Sequence, residues 1–216
     1  MTRPCFAVDI DNVLAKAEPE VQRIYGDLTG SPWPLGVYGS AGGLDSAQLP
    51  KDIVEEIFSQ FHEHSIPRLS LLPGARLALT RLQRRYKIAI ITARRPTSRP
   101  QTVAWLQRHR IPFEELYLTE EKADVAENIV LAVDDHPVHA LAYCEAGVRV
   151  FLMNQPWNQG VSHPLLTRVS GWDELLQIHD FGDRPLGKPH PLELASIKYL
   201  LNPRNLCVPQ PTAEAS

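Results

Sequence analysis

Short apolar runs recur along the chain and predict the strands of a sheet. None of them alternates strictly between apolar and polar positions, which is the pattern of strands buried on both faces of a parallel sheet. Stretches with helical spacing lie between them, so we predict an α/β fold with a doubly wound parallel sheet. The third of these helices is expected to bury Val138, Leu141 and Cys144. The predicted strands are Cys5–Asp9, Lys87–Thr92, Glu115–Thr119, Asn128–Asp135 and Val148–Leu152, and the predicted helices are residues 74–85, 98–109 and 137–146.

The segment 16–72 breaks this alternation and is too long for a loop without structure of its own. Pro19–Thr29 and Lys51–His64 both show helical spacing, and a glycine-rich stretch joins them. Phe58 and Phe61 could stack on a base, but they fit the buried face of the second helix, so we assign them to the core. We therefore predict a small helical cap inserted after the first strand. The predicted organisation is a catalytic core of residues 1–15 and 73–179, a cap of residues 16–72, and a proline-rich tail of residues 180–216.

Composition and charge narrow the class of protein. The chain has 216 residues, of which 44% are hydrophobic and 22% charged, as in globular proteins with a substantial core. It shows neither an apolar run of membrane-spanning length nor the layout of a signal peptide, so we expect a cytoplasmic protein without a membrane partner. The formal charge of −3 argues against a general nucleic-acid binder. Composition does not determine the oligomeric state, and a homodimer is compatible with it.

Polar residues collect where the predicted strands end. In an open α/β sheet, ligands bind in the crevice at the carboxyl ends of the strands. Several carboxylates brought together there repel one another unless a cation lies among them, and hard oxygen ligands suit Mg²⁺. The residues concerned are Asp9 and Asp11 after the first strand, Thr92 at the end of the second, Lys122 beyond the third, and Asp134 and Asp135 at the end of the fourth.

The same edge of the sheet can hold an anion. Thr92, Lys122 and the free amides of the turn after Asp9 together suit a dianion such as phosphate. Asn12 tolerates turn conformations and suits the bend that keeps Asp11 near Asp9. A carboxylate beside Mg²⁺ can attack phosphorus and form an aspartyl-phosphate. The pattern therefore predicts phosphoryl transfer.

These motifs resemble those of a known superfamily. The ordered set "DIDNVLA", "IIT", Lys122 and "VDD" is similar to the four motifs of haloacid-dehalogenase-like (HAD) phosphatases. Further segments, including "LLPGARLALTRLQRRYKIAIITARRP" and "TVAWLQRHRIPFEELYL", look like the type C 5′-nucleotidase branch, which contains the deoxyribonucleotidases. The resemblance extends from Cys5 to Ile178 and includes the cap by position only.

The resemblance implies roles for individual residues. Asp9 would be the nucleophile and a metal ligand, and Asp11 the general acid and base, with its backbone carbonyl on Mg²⁺. Where the deoxyribonucleotidases follow the threonine with serine, this chain has Ala93 and then Arg94, so a hydroxyl contact is replaced or lost. The implied phosphate-binding residues are Asn12, Thr92, Ala93 and Lys122, and the implied metal ligands are Asp9, Asp11, Asp134 and Asp135.

The leading functional hypothesis is a Mg²⁺-dependent 5′(3′)-nucleotidase acting on nucleoside or deoxynucleoside monophosphates. A phosphatase for sugar phosphates or nucleic-acid 3′-phosphate ends is one alternative. A scaffold that binds nucleotide without turnover is another, although the intact acid set argues against it. Arg94 adjoins Thr92 and is a candidate substrate contact. Trp33 and Tyr38 lie in loop sequence of the cap and are candidates for stacking on a base.

Overall fold

The computed structural model of the protein describes residues 3–34 and 49–179. The candidate base-stacking residue Tyr38 and the predicted tail lie outside these residues. None of the helices in the two described ranges has the length and apolar character needed to cross a lipid bilayer.

A parallel sheet of six strands forms the centre of the fold. The strand order is β3-β2-β1-β4-β5-β6, and each neighbouring pair is parallel. The five predicted strands are present with shifts of one residue or so at their ends, and the doubly wound α/β fold is confirmed. β6 was not predicted. The strands are β1 (Cys5–Val8), β2 (Lys87–Thr92), β3 (Glu115–Leu118), β4 (Ile129–Asp134), β5 (Arg149–Met153) and β6 (Leu166–Val169).

Six α-helices accompany the sheet in the described residues. α2 continues into a turn of π-helix, Phe61–Ser65, and a short 3-10 turn, Ile66–Arg68. The sequence predicted one regular helix over this region. The helices are α1 (Glu18–Thr29), α2 (Lys51–Gln60), α3 (Ala75–Leu82), α4 (Arg99–Arg108), α5 (Pro137–Glu145) and α6 (Trp172–Ile178).

The buried face of α5 differs from the prediction. Val138 is 64% exposed, whereas Ala140, Tyr143 and Cys144 are buried. At 3.6 residues per turn, Val138 projects from the side of the helix opposite to the mean direction of these three buried residues. The prediction is therefore wrong for Val138 and confirmed for Cys144, while Leu141 is half-buried.

The segment 16–72, hereafter the insertion, contains α1 and α2 and follows β1 in the chain. Its two connections to the sheet run side by side. The backbone N–H of Lys16 donates to the Ser70 carbonyl at 2.9 Å, and that of Leu72 donates to the Leu14 carbonyl at 2.7 Å. Ala15 forms an antiparallel bridge with Leu71. The chain therefore leaves and re-enters the sheet at one place, next to the ends of the central strands.

Candidate active site

The predicted acids meet where the strand order reverses. β1 and β4 are neighbours in the sheet but distant in sequence, and an open α/β sheet has its binding crevice at such a point. Asp9 follows β1, Asp134 ends β4, and Asp135 comes next. Thr92 ends β2 on the other side of β1 and is buried. The sheet topology thus brings residues from three separate motifs to one edge.

Three of the carboxylates form a cluster that can hold a metal ion. One oxygen from each of Asp9, Asp134 and Asp135 lies within 4.8 Å of the others. Burial, with added repulsion from Asp134 and Asp11, raises the pKa of Asp9 to about 7 against the lowering effect of Lys122. Burial and the charge of Asp9 raise the pKa of Asp135 well above its ordinary value. Several buried carboxylates this close together leave negative charge that a hard divalent cation such as Mg²⁺ would balance.

Lys122 supplies positive charge between two of these acids. Its Nζ donates to Asp9 Oδ1 at 2.8 Å and to Asp134 Oδ2 at 2.9 Å. Burial alone would lower the pKa of Lys122, but Asp134 and Asp9 raise it above its ordinary value, so the amine stays charged. The other oxygen of Asp9, Oδ2, receives no hydrogen bond from the described part of the chain. One oxygen of Asp9 is held in place while the other is available.

Asp11 points its carboxylate at Arg94. The guanidinium donates from Nε to Oδ2 at 2.8 Å and from Nη2 to Oδ1 at 2.7 Å. Its Nη1 donates to Thr102 Oγ1 at 3.2 Å, and the ring of Phe61 lies 6.0 Å from its central carbon. Arg94 lines the cavity, but in this structure its three donor nitrogens all bind groups of the chain itself.

Asn12 makes the turn that the sequence predicted for it, with a left-handed φ of 58°. Its backbone N–H donates to the Ala15 carbonyl at 2.8 Å. Its side chain donates to Asp135 Oδ2 at 3.3 Å and accepts from the Glu18 N–H at 2.9 Å. These bonds direct the Asn12 side chain to Asp135 and to the start of α1, and its contact with phosphate stays a prediction.

A cavity opens over the acids and brings the core and the insertion together. Phe58, which the sequence assigned to the core, is half-buried and lies on the cavity wall. His62, which the sequence did not single out, lies there too. Trp33 packs edge-on against Tyr25, with the two ring centroids 5.2 Å apart, and is not among the residues that line the cavity. The cavity is lined by Asp9, Asp11, Phe58, His62, Thr92, Ala93, Arg94, Arg95, Glu120, Lys122, Asp135, His136 and His139.

Two residues of a short turn support Asp135. The sequence did not single out Asn158, whereas the position of Trp157 in "QPWNQ" predicts packing near the rim of the site. The buried side chain of Asn158 donates from Nδ2 to the Asp135 carbonyl at 2.7 Å and to the Met153 carbonyl at 2.8 Å. The Trp157 indole N–H donates to the same Asp135 carbonyl at 3.2 Å. Both residues belong to a short 3-10 turn after β5. Gln155 and Asn158 cap this turn and Pro156 begins it, but its partner Asp135 lies 22 or 23 residues away in the sequence, so no local pattern shows their contact.

Comparisons with known proteins identify the family of the chain. The model of the family described as 5′ nucleotidase, deoxy (pyrimidine), cytosolic type C protein matches residues 3–180. YqfW of Bacillus subtilis, which is named as a nucleotidase, is 32% identical over 112 residues. That match covers 50% of this chain and 58% of YqfW, so the chain spans little more than half of this relative. A nucleotidase of Clostridium acetobutylicum is 24% identical over 136 residues, covering 61% of this chain and 71% of that protein.

Solved structures show the same fold. The HAD-hydrolase YfnB of Bacillus subtilis, solved with magnesium bound, aligns with a TM-score of 0.55 at 12% identity. The alignment covers 82% of this chain and 99% of YfnB. The fold is therefore HAD-like, and the resemblance seen in the sequence motifs is confirmed. With most of its length matched by the family model, the chain belongs to the cytosolic type C 5′-nucleotidase family.

Proposed function

We propose that the protein is a Mg²⁺-dependent phosphomonoesterase that acts on nucleoside monophosphates. The observation that carries this proposal is the setting of Asp9. Its Oδ1 is fixed by Lys122, its Oδ2 is unbound within the described chain, and the carboxylates of Asp134 and Asp135 lie beside it, with Asp9 and Asp135 on the cavity wall. A carboxylate held in this way is suited to attack an electrophile that enters the cavity.

Asp9, Asp134 and Asp135 would hold the ion, with the backbone carbonyl of Asp11. Bound Mg²⁺ would neutralise negative charge on the phosphoryl oxygens. The charged Lys122 and the Thr92 hydroxyl would bind those oxygens as well, together with the backbone of Ala93 on the cavity wall.

The reaction would proceed in two steps. Asp9 attacks phosphorus, the bond from phosphorus to the ester oxygen breaks, and Asp11 gives a proton to the departing alcohol. Water then attacks the aspartyl-phosphate, Asp11 takes the proton of that water, and the acyl phosphate bond breaks. Inorganic phosphate leaves and Asp9 is restored as a carboxylate.

Two observations support nucleotides as the substrate class. The family that matches residues 3–180 is one of 5′-nucleotidases, and both curated relatives are named as nucleotidases. Phe58 offers an aromatic face on the cavity wall, and the π-face of any nucleobase can pack on such a ring.

A panel of phosphorylated compounds tests the proposal. Release of inorganic phosphate would be measured with ribo- and deoxyribonucleoside 5′- and 3′-monophosphates, sugar phosphates and a 3′-phosphorylated oligonucleotide. We expect the highest kcat/KM with a nucleoside monophosphate, loss of activity with a chelator, and recovery with Mg²⁺. Preference for a sugar phosphate over every nucleotide would reject the substrate class. Tight nucleotide binding without phosphate release from any compound would reject the enzymatic function.

A further inference from the structure

His62 is a buried residue of the insertion on the wall of the catalytic cavity. It is 5% exposed and lies in the π-helical turn Phe61–Ser65. Turns of this type interrupt the regular hydrogen-bond ladder of a helix and are frequent at functional sites. The His62 side chain has no role in the metal and phosphate binding proposed above.

The contacts of the ring define which nitrogen carries its proton. Nδ1 lies 2.7 Å from the Phe58 carbonyl oxygen. A carbonyl oxygen only accepts hydrogen bonds, so Nδ1 is the donor and the neutral ring keeps a lone pair on Nε2. Burial lowers the pKa of His62 and favours this neutral form, against the opposing effect of the bond to Phe58. His62 therefore presents an acceptor atom.

That acceptor is unused by the protein. Nε2 of His62 is buried and has no hydrogen-bond partner among the residues that the structure describes. Buried polar side-chain atoms are bonded in the large majority of cases, so an exception on a cavity wall requires an explanation. A ligand that brings a donor into the cavity would complete the bonding of the ring.

The phosphate end of a substrate is not suited to be this partner. The oxygens of a phosphomonoester dianion are acceptors, and two acceptors that face each other repel. The partner must carry O–H or N–H hydrogen, which is found in the organic part of the substrate. A nucleoside offers both kinds of donor, as sugar hydroxyls and as base N–H groups.

We infer that His62 is a specificity residue whose Nε2 accepts a hydrogen bond from a hydroxyl or N–H group in the organic part of the substrate. This inference rests on the proposed phosphomonoesterase activity and adds a requirement to it. A site built around a buried acceptor discriminates against analogues that lack the donor, because the acceptor then stays unpaired. The insertion thus selects substrates by a chemical group distant from phosphorus.

The test compares substrates with and without a donor. Nucleoside monophosphates carry one, whereas p-nitrophenyl phosphate has neither hydroxyl nor N–H in its organic part. The rings of His62 and Phe58 are stacked, with their centroids 6.1 Å apart. The variant His62→Phe keeps a ring beside Phe58 and removes both nitrogens. His62→Gln restores an acceptor oxygen. His64→Ala is the matched control, since His64 lies in the same turn with its side chain 69% exposed.

We expect His62→Phe to lower kcat/KM for nucleoside monophosphates by about tenfold or more while leaving p-nitrophenyl phosphate within about twofold. His62→Gln should recover part of the loss, and His64→Ala should resemble the wild type. Analogues that lack the 3′-hydroxyl or carry a methyl group on the base N–H identify the donor. The wild type should discriminate against one of them, and His62→Phe should not.

Other outcomes would overturn the inference in distinguishable ways. An equal loss with both classes of substrate would show that His62 supports the fold or the chemistry rather than specificity. Unchanged kinetics with nucleotides would show that Nε2 makes no contact with them. A wild-type protein inactive on both classes would reject the proposed function itself, and the inference with it.

Discussion

Arg94 binds both carboxylate oxygens of Asp11 through two parallel hydrogen bonds of 2.8 and 2.7 Å. The side chains of Arg94 and Asp11 are only 1% and 9% exposed, so solvent competes little with the pair. A planar guanidinium that meets a carboxylate in this way fixes its orientation as well as its position. Because Arg94 also contacts Thr102 and the Phe61 ring, it links the proposed acid and base to α4 and to the insertion.

We predict that Arg94 acts by positioning Asp11. Arg94→Ala should lower kcat by roughly 10²-fold with a smaller change in KM, because the carboxylate proposed to take the proton of the attacking water loses its fixed orientation. Arg94→Lys should retain part of the activity, since an ammonium group binds one oxygen better than two. Steady-state kinetics for each variant, together with the exposed control Arg108→Ala, would measure these effects.

A double variant separates positioning from a general loss of structure. If Arg94 acts through Asp11, the combined variant Arg94→Ala/Asp11→Asn should lose little more activity than Asp11→Asn alone. Fully additive losses would contradict the coupling. Melting temperatures of all three variants would show how much of each effect comes from leaving a buried charge unpaired.

Asp9→Asn tests the nucleophile at nearly constant size. A neutral amide cannot attack phosphorus and is a poor ligand for a cation, so kcat should fall by roughly 10³-fold or more. Phosphate release with a nucleoside monophosphate is the measurement, and the exposed Asp124→Asn is the matched control. Substantial turnover by a folded Asp9→Asn variant would reject Asp9 as the nucleophile.

The raised pKa of Asp9 predicts how metal stabilisation depends on pH. Between its ordinary value of 3.8 and about 7, the folded protein without metal keeps a proton on Asp9 that the unfolded chain has lost. The contribution of Asp9 to stability is therefore full below 3.8 and is lost as pH rises through this window. Mg²⁺ requires ionised carboxylates, so the stabilisation that it adds should increase over the same window.

Thermal unfolding with and without Mg²⁺ at about pH 5 and about pH 8 would measure this effect. We expect the larger rise in Tm at the higher pH. Asp134→Asn should reduce the rise at both values, because it removes one carboxylate of the cluster. A rise of the same size at both pH values would show that the bound ion does not depend on ionisation of these acids.

Asn158 is predicted to support the metal site through the backbone of Asp135. Asn158→Ala removes the donor that holds the Asp135 carbonyl, and outer groups of this kind change metal affinity by about tenfold or more. The Mg²⁺ concentration for half-maximal activity should rise by about that factor, with a small change in kcat at saturating Mg²⁺. Gln159→Ala is the control, because Gln159 is exposed and its side chain donates to Asn154 Oδ1 and the Gln155 carbonyl rather than to Asp135. An unchanged Mg²⁺ requirement in Asn158→Ala would reject this role.

The local pattern of the chain was sufficient to locate much of the fold and the acid cluster. Buried parallel strands are apolar runs in the sequence, and a polar residue that ends such a run lies at the carboxyl end of its strand. Asp9, Thr92 and Asp134 could therefore be assigned from the sequence to the edge where ligands bind. β6 escaped prediction because its four residues include the polar Thr167 and Arg168 and form no apolar run.

Other features depend on contacts that no local pattern encodes. Asp11 and Arg94 are 83 residues apart in the sequence, so no local pattern predicts their contact. Only the arginine after Ala93, at a place where the family resemblance led us to expect other residues, indicated a difference in the site. The regular helical spacing of residues 51–64 gave no sign of the π-helical turn. The direction of the His62 side chain could therefore not be predicted. Phe58 was assigned to the core because a helix with several large apolar residues does not reveal which of them faces a cavity.

The adjacent connections of the insertion also bear on how such a protein can diversify. Leu14 and Leu72 are joined by a backbone hydrogen bond, so the ends of the segment between them are already close together. A segment of another length or sequence can be exchanged there without moving the strands, because the sheet requires only that the chain return to the same place. New selectivity can therefore arise by replacing one contiguous stretch of polypeptide while Asp9 and Asp134 stay where the central strands end.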